Sequence, residues 1–469
     1  MSLPKIVIPL SIQFSVRYLI RTGLINSLRE VSEPILLLSW NDVELQDELR
    51  SNGYQFYFLP QAKMSPNLER LRKQIQHAHF LRLKSQTTSI DRRRSFLSLP
   101  VFVCIRAMAK NFILDFQGTL PASFEKWITQ EDVLFEKASN LNEFLELVEK
   151  IKPDYLFSIT PYLPDEEFLI RAAARKGIHL ITSILSFDNI TTRSRIPVHF
   201  DKYLLWNQNN RQELLRIYPD IDSTKIELVG APQFDFYYDS SYLWDEPTWR
   251  NRLGIPDERS VILFGAGPQT ITSVEPHIVA QLDNAIAQGC FPNKPIILLR
   301  LHPVDTVARW EALRQSAKHV VFDLPWKFGK DVAGKTNISR YDIEKLVSTL
   351  KYCQVHISTS STMTLDGAIF DRPQIGPAYD DCPRRKYDRA MRELYFREHY
   401  LPITQSGGLQ IAYSFNQLKA FVLEGFQNPK LHREARKKMI RALCTYDDGK
   451  STQRIVNSIR DYLNQNEHR

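Results

Sequence analysis

Five consecutive hydroxyl residues, at positions 358–362, separate an alternating apolar run from an amphipathic one. The first run is typical of a strand, and the second of a helix that begins near Ser361 or Thr362. Open α/β sheets bind ligands at the carboxyl ends of their strands, and the free N–H groups of a helix N-terminus attract anions. Because one hydroxyl suffices for a helix cap, five in succession favour contact with a phosphate. Ordinary capping is the alternative.

Three further side chains belong to the same chemistry. Asp366 lies one turn into the predicted helix, where its carboxylate could accept hydrogen bonds from ribose or sugar hydroxyls. Arg300 and His302 stand at the end of a second apolar strand, in "LLRLHP". A histidine there could donate to a pyrophosphate, or offset its charge if protonated. A structural histidine is the alternative.

A glycine loop follows a third predicted strand, in "FGAGPQT". Gly265 and Gly267 allow close backbone approach, but Thr270 stands where a dinucleotide fingerprint has its third glycine. No strand-end acid follows at the usual distance, so the loop is a weak dinucleotide signal. We expect a simple glycine loop that faces an interdomain cleft.

Candidates for acceptor chemistry lie in the first half of the chain. In "SFDNITTRSR", Asp188 could be a general base, with Arg193 or Arg195 holding an anionic acceptor. Ordinary Asx-turn chemistry explains Asp188 equally well. Arg17 and Arg21 follow the first predicted strand and are further candidates to face the cleft.

The elements that position these residues alternate between short apolar strands and helices along most of the chain. This pattern is typical of parallel sheets covered by helices on both faces. Since 469 residues exceed what one core usually holds, we predict two domains, residues 1–240 and 241–469. Each is a doubly wound, Rossmann-like α/β domain, and the first carries a basic helical insertion at about 60–150. Two such halves imply a cleft between them.

The net charge of +8 is concentrated in one segment. Residues 66–110 hold ten Lys or Arg and only two acids, and an apolar run with two cations follows at 101–114. This pairing predicts peripheral contact with an anionic membrane through residues 66–114. A solvated insertion packed on its own domain is the alternative. Nucleic-acid binding is not expected, because no matching motif accompanies the charge.

Several classes of protein are not expected from this sequence. The chain lacks an apolar run long enough to span a membrane, and the N-terminal segment is typical of a strand, not a signal peptide. Five scattered cysteines predict free thiols, a cytoplasmic location and no zinc site. P-loop, nucleophile-elbow and HExxH patterns are missing. The single DxD, at 220–222, is typical of a surface turn and does not predict a metal site.

The segments "RLHP", "STSSTMTLDGAIFDRPQIG" and "LVGAPQFD" together resemble the GT-B glycosyltransferase superfamily. In particular, they are similar to the CDP-glycerol glycerophosphotransferase-like and surface-polysaccharide transferases of bacteria. The terminal "DDGKSTQRI" is similar to the way such chains end. The resemblance spans roughly residues 180–469.

The resemblance implies a C-terminal domain that holds a nucleotide-activated donor and an N-terminal domain that holds the acceptor. It implies that His302, Ser360, Ser361 and Thr362 contact the donor diphosphate, with Asp366 near the ribose or the transferred group. Enzymes of this kind commonly need no metal and no cofactor beyond the nucleotide-sugar substrate. Helix N-termini and basic groups stabilise the leaving diphosphate instead.

One departure bears on the reaction. The glycerophosphotransferases carry a His-Gly motif where this chain has the loop 187–189, Phe-Asp-Asn. We therefore expect sugar transfer to a glycan or lipid-linked acceptor in surface polysaccharide or glycolipid synthesis, with Asp188 as base. A sugar-nucleotide 2-epimerase, a glycerophosphotransferase and a non-catalytic nucleotide-sugar-binding protein are the alternatives. The predicted location is cytoplasmic, with peripheral contact at the inner membrane face.

Overall fold

The structure, a computed structural model, describes residues 3–97, 101–324, 338–380 and 391–467. The chain divides into two compact units. The first unit comprises Met1–Pro232 and Lys450–Arg469, and the second comprises Gln233–Gly449. Each unit is built on one parallel sheet with helices on both faces.

The first unit holds seven parallel strands in the order β3-β2-β1-β4-β5-β6-β7. The second unit holds six, in the order β10-β9-β8-β11-β12-β13. The strands are β1 Lys5–Leu10, β2 Glu33–Leu38, β3 Gln55–Phe58, β4 Tyr155–Ser158, β5 His179–Ser183, β6 Lys202–Leu205, β7 Ile226–Leu228, β8 Val261–Gly265, β9 Ile296–Arg300, β10 Val320–Asp323, β11 Val355–Ser358, β12 Gln374–Pro377 and β13 Leu409–Ala412.

The α-helices of both units are listed in chain order. They are α1 Gln13–Ser15, α2 Leu24–Leu28, α3 Val43–Ser51, α4 Pro66–Leu83, α5 Gln86–Leu97, α6 Val101–Thr119, α7 Pro121–Lys137, α8 Leu141–Ile151, α9 Pro164–Arg175, α10 Asn189–Thr192, α11 Gln208–Ile217, α12 Glu246–Leu253, α13 Glu275–Ala287, α14 Glu311–Ser316, α15 Arg340–Tyr352, α16 Met363–Ile369, α17 Met391–Leu394, α18 Leu401–Thr404, α19 Phe415–Gln427, α20 Arg433–Cys444 and α21 Ser451–Glu467. A π-helix, Val16–Arg21, and five short 3₁₀ helices complete the regular structure.

Strand β1 shows why both faces of the first sheet are covered. Ile6 and Ile8 point into one apolar cluster, and Val7 between them points into another. Alternate side chains of a strand lie on opposite faces, so a continuous apolar run requires a core on each side. The predicted α/β class with doubly wound sheets is confirmed.

Each sheet reverses its strand order once. The reversal falls between β1 and β4 in the first unit and between β8 and β11 in the second. In open α/β sheets, the crevice outside the carboxyl ends of the strands at such a reversal is the usual ligand position. The two reversals therefore define where functional side chains should lie in each unit.

The division of the chain differs from the prediction at its C-terminal end. The first segment ends at Pro232, near the predicted boundary of 240, but α21 belongs to the first unit. Ile455, Val456 and Ile459 lie in the apolar cluster that also contains Ile6 and Ile8. The prediction that all of 241–469 forms the second domain is therefore wrong for the last helix.

The basic insertion between β3 and α8 consists of helices α4, α5, α6 and α7. Gly118 of α6 lies against Ala78 of α4, where an added Cβ would approach the Ala78 Cβ to 2.8 Å. None of the described helices combines the length and apolarity that crossing a bilayer requires. The four described cysteines, 104, 290, 353 and 444, are free, and Cys382 lies outside the described residues.

Candidate functional site

Three neighbouring strands of the second unit end at the same level. Ser358 of β11 is the register partner of Gly265 of β8, and Gly265 is the register partner of Arg300 of β9. The hydroxyl run, the glycine loop and the "LHP" segment therefore leave the sheet side by side at its reversal. The sequence predicted these three segments separately, and the sheet topology brings them together.

Some residues of the hydroxyl run make hydrogen bonds within the protein, and one is exposed. Ser358 Oγ lies 3.2 Å from Thr364 Oγ1, and Ser360 Oγ donates to the Leu394 carbonyl at 3.0 Å. Ser361 Oγ accepts from the Met363 N–H at 3.2 Å, so it acts as a local cap. Thr362 is exposed, and its side chain makes no cap bond. Phosphate contact by Ser360, Ser361 and Thr362 stays a prediction, and Thr362 presents the most open hydroxyl.

His302 is positioned by its own backbone turn. Its Nδ1 accepts from the Val304 N–H at 3.2 Å, which leaves the proton on Nε2 in the neutral ring. Burial lowers the pKa of His302 to about 4; Asp305 raises it and Arg309 lowers it further. His302 is therefore neutral near pH 7. It can offer an Nε2–H donor to a pyrophosphate. It does not offset the charge of the pyrophosphate, which was the second possibility that the sequence suggested.

Arg300 has a structural partner. Its guanidinium donates to Asp323 Oδ2 at 2.5 Å, and Lys345 Nζ lies 2.7 Å from Asp323 Oδ1. All three side chains are buried. This interior ion cluster explains Arg300 without a ligand, so donor binding by Arg300 finds no support in its surroundings.

Asp366 also faces a protein group. The Tyr237 hydroxyl donates to Asp366 Oδ1, and both side chains are buried. The carboxylate thus ties α16 to the 3₁₀ helix Pro232–Tyr237. The expected contact of Asp366 with ribose or sugar hydroxyls has no support in this arrangement, because the carboxylate is engaged by Tyr237.

The glycine loop approaches protein side chains closely. A Cβ on Gly265 would lie 2.9 Å from Met363 Sδ, and one on Gly267 would lie 2.8 Å from Thr272 Oγ1. A side chain at Gly265 would therefore displace Met363 at the start of α16, and one at Gly267 would displace Thr272 in the loop before α13. Backbone contact between this loop and a donor stays a prediction.

A buried network that the sequence analysis missed supports the loop. The Gly267 N–H donates to Glu275 Oε2 at 2.9 Å, and Arg309 donates to Glu275, to Asp305 at 2.7 Å and to the Gly267 carbonyl at 2.8 Å. Burial raises the pKa of Glu275 to about 7, although Arg309 lowers it. The i,i+4 spacing of Asp305 and Arg309, and the Thr-x-x-Glu spacing of Thr272 and Glu275, are the sequence signals of this network.

The acceptor-side candidate Asp188 sits in a turn after β5. Ser186 Oγ donates to its Oδ1 at 2.5 Å, and Thr192 Oγ1 donates to its Oδ2 at 3.1 Å. Arg193 is exposed, with its guanidinium 5.9 Å from the centre of the Tyr162 ring. The local bonds match the Asx-turn alternative, and a role for Asp188 as base stays a prediction.

The remaining arginines differ in their surroundings. Arg195 donates to Glu131 at 2.8 Å, and Arg21 makes two bonds to Glu48, one of them at 2.7 Å. These ion pairs explain both residues without an acceptor. Arg17 is partly exposed in the π-helix that follows β1. Acceptor contact by Arg17 and Arg193 stays a prediction.

Glu166 is a second carboxyl group that the sequence analysis missed. It is fully buried in the first turn of α9, where it accepts from Ser158 Oγ at the end of β4 at 2.6 Å and from the Thr160 N–H at 3.2 Å. Burial raises the pKa of Glu166. Its hydrogen bonds hold the loop that follows β4, beside the strand reversal of the first unit. In the sequence, Glu166 stands next to Glu167, and nothing there distinguishes the buried carboxyl group from an ordinary helix residue.

Acidification should destabilise the second unit through His356. This residue is fully buried, its Nδ1 lies 2.8 Å from Gln374 Oε1, and burial lowers its pKa to about 4. Between about pH 6.5 and 4 the unfolded chain binds a proton that the native state does not, so stability falls by about 1.4 kcal/mol per pH unit for this group. Urea unfolding should show a smaller loss on acidification in His356→Gln. An unchanged slope would contradict this, and the matched control is His277→Gln.

Among the described residues, no group of three or more His, Cys, Asp or Glu side chains is placed to hold a metal ion.

Comparisons with known proteins agree with the fold. No curated protein sequence matches the chain significantly. Solved structures that resemble it share two Rossmann-like domains, which is the GT-B fold.

Three solved structures illustrate the likeness. A UDP-N-acetylglucosamine 2-epimerase gives a TM-score of 0.57 at 12% identity over 99% of this chain and 97% of its own. The UDP-GlcNAc 2-epimerase of Neisseria meningitidis, bound to UDP-GlcNAc, gives 0.55 at 13% over 97% and 99%. A glycosyltransferase from Rickettsia africae gives 0.50 at 12% over 98% and 99%. At these identities the likeness shows the fold alone.

The sequence comparison is more specific. The family model described as CDP-Glycerol:Poly(glycerophosphate) glycerophosphotransferase matches residues 179–461. This range contains the Asp188 turn, the glycine loop, His302 and the hydroxyl run, and it covers more than half of the 469 residues. The chain belongs to the CDP-glycerol:poly(glycerophosphate) glycerophosphotransferase family, within the GT-B superfamily.

Proposed function

We propose that this protein is a transferase that moves a sugar from a nucleotide-activated donor to a glycan or lipid-linked acceptor. The observation that carries the proposal is the placement of three segments at the strand reversal of the second unit. There the glycine loop, His302 and the hydroxyl run leave adjacent, register-matched strands. Membership in a family of transferases supports the reaction class.

The donor diphosphate would bind through neutral hydrogen-bond donors. His302 offers its Nε2–H, and Thr362 offers an exposed hydroxyl. Donors fixed before the reaction stabilise the charge that develops on a leaving diphosphate. We propose that no cofactor takes part, and that magnesium is not required.

Replacing His302 by Ala should weaken binding of the donor nucleotide at least tenfold, because one positioned N–H donor to a charged group is lost. Ser361→Ala should have a smaller effect, since its Oγ is already engaged as a cap. Calorimetric titration of the full chain with the donor nucleotide measures both. His319→Ala, in the same unit, is the matched control. Unchanged affinity in His302→Ala would remove this residue from the donor site.

A sugar-nucleotide 2-epimerase is the second candidate, and the epimerase structures of the same fold support it. An epimerase would convert UDP-GlcNAc into its C2 epimer without an acceptor. Proton NMR of UDP-GlcNAc incubated with the chain distinguishes the two. We expect no epimer. Formation of the epimer in the absence of acceptor would replace the transferase proposal.

We also propose that the protein works at the inner face of a membrane. Six large apolar residues described in α6 are exposed, and five of them recur every three or four positions and so form one stripe: Phe102, Ile105, Met108, Phe112 and Phe116. Phe102 is 81% exposed and Phe112 is 74% exposed. On the far side of α6 from this stripe, Gly118 packs against Ala78 of α4. An apolar stripe beside a basic segment fits an anionic bilayer surface.

Phe112→Ser with Phe116→Ser should lower binding to phosphatidylglycerol-containing vesicles at least tenfold. The reason is that each phenyl ring contributes about 1.5–3 kcal/mol when it leaves water. Vesicle co-sedimentation measures the effect. Phe58→Ser, which also alters an exposed phenylalanine, should bind as the wild type does. Equal binding by all three proteins would favour the solvated-insertion alternative.

A further inference from the structure

A cavity of about 650 Å³ lies in the first unit, whereas the glycine loop, His302 and the hydroxyl run belong to the second. Helices α4 and α7 of the insertion form one side, and residues 195–199 and 216–220 form the other. Its volume is within the range of pockets that bind small molecules.

The cavity carries an excess of positive charge. Arg82, Arg195 and Arg216 line it, against one lining carboxylate, Asp220. Arg195 also donates to Glu131, at 2.8 Å. The carboxylate of Asp220 lies 3.5 Å from the Nε2 of His199. The guanidinium of Arg82 lies over the Phe124 ring, 4.7 Å from its centre, which fixes this cation at the wall. Arginine clusters of this kind bind phosphate oxygens.

His79 provides an independent indication of an anionic ligand. It is 5% exposed and lines the cavity, and its Nε2 has no hydrogen-bond partner in the described part of the chain. Burial lowers the pKa of His79 to about 4, and Arg195 and Arg82 lower it further. The ring is therefore neutral in a positive field. A buried unpartnered ring nitrogen is costly, and a ligand oxygen would relieve that cost.

The remaining walls are apolar. Leu83, Ile128, Val198 and Ile217 line the cavity beside Phe124. An inorganic phosphate ion would fill only a small part of this volume and would leave these side chains uncovered. A ligand that matches both parts of the cavity combines an anionic head with an apolar segment.

We propose that this cavity binds a phosphate group carried on an apolar chain, as in a phospholipid or an isoprenoid phosphate. The phosphate is held by Arg82 and Arg216 and accepts from His79, and the chain lies along the wall that Phe124 and Ile128 form. The inference does not depend on sugar transfer, because binding can be measured without any nucleotide.

Calorimetric titration of the full-length chain with hexyl phosphate tests the proposal, since this probe is soluble and carries both features. Inorganic phosphate and hexanol are the two partial probes. We expect hexyl phosphate to bind at least tenfold more tightly than either. Equal binding of inorganic phosphate would assign the cavity to a free anion and overturn the apolar part of the proposal.

Variants locate the binding. Arg82→Gln with Arg216→Gln should weaken hexyl phosphate binding at least tenfold, because two charge-assisted contacts are lost. Arg211→Gln, on the same helix α11 but outside the cavity lining, should bind as the wild type does. A double variant that binds hexyl phosphate normally, or a wild type that binds none at millimolar concentration, overturns the proposal.

Discussion

Arg309→Met should lower the free energy of unfolding of the second unit by about 3–5 kcal/mol, because removing one partner of a buried ion pair leaves uncompensated charge. Arg309 is 3% exposed at its side chain and contacts two carboxylates, Glu275 and Asp305. It also donates to the carbonyls of Gly267 and Thr272, which would lose their partner. Methionine matches the arginine stem in volume, so the loss reports the guanidinium and not a cavity.

Urea unfolding followed by circular dichroism measures this loss. Arg314→Met, an exposed arginine on the neighbouring helix α14, should stay within about 0.5 kcal/mol of the wild type. Arg309→Lys should fall between the two, since it keeps the charge but not the forked donors. If Arg309→Met were as stable as Arg314→Met, the network would not hold the glycine loop.

Asp188→Asn should lower turnover by about 10²–10⁴-fold, which is the usual contribution of a positioned general base. Asparagine keeps the shape of the side chain and an oxygen that can accept from Ser186 or Thr192, so the turn should survive. Donor affinity should not change, because the residue belongs to the first unit and the donor segments to the second. Turnover is measured as nucleoside diphosphate released in the presence of acceptor.

The control for this prediction is Glu143→Gln, which neutralises an exposed carboxylate of α8 in the same unit. Turnover near the wild-type value in Asp188→Asn, with an intact melting transition, would leave Asp188 as a turn residue only. Glu166 would not then replace Asp188 as the candidate base. Its carboxyl group is fully buried, so a proton could reach it from an acceptor only along a path through the protein.

The sequence predicted the class of fold because buried parallel strands are continuous apolar runs. β1, β8 and β9 are five or six residues long and almost wholly apolar, so they stood out. It did not predict β10, β12 and β13, which have four residues each; β12 contains Gly376 and Pro377. Edge and near-edge strands that are this short carry too little periodicity to be distinguished from loops.

The sequence predicted where along the chain the candidate site residues lie, but it did not predict which protein groups they contact. Strand ends and helix starts are local features, so the hydroxyl run and His302 could be placed from the sequence. The partners of Asp366 and Arg300 lie 129 and 23 residues away along the chain, and only the tertiary fold reveals that both are engaged. Helix α21 was assigned to the wrong domain for the same reason, because its apolar face does not specify which core it joins.

Thermal unfolding of the purified chain with UDP, CDP, GDP, ADP and CMP, each with and without magnesium, tests whether the second unit binds a donor nucleotide. A ligand that binds only the native state raises the melting temperature by mass action. We expect one nucleoside diphosphate to raise the melting temperature without magnesium, and His302→Ala to lose most of this shift. No shift with any of the five nucleotides would contradict a donor site at the strand reversal of the second unit.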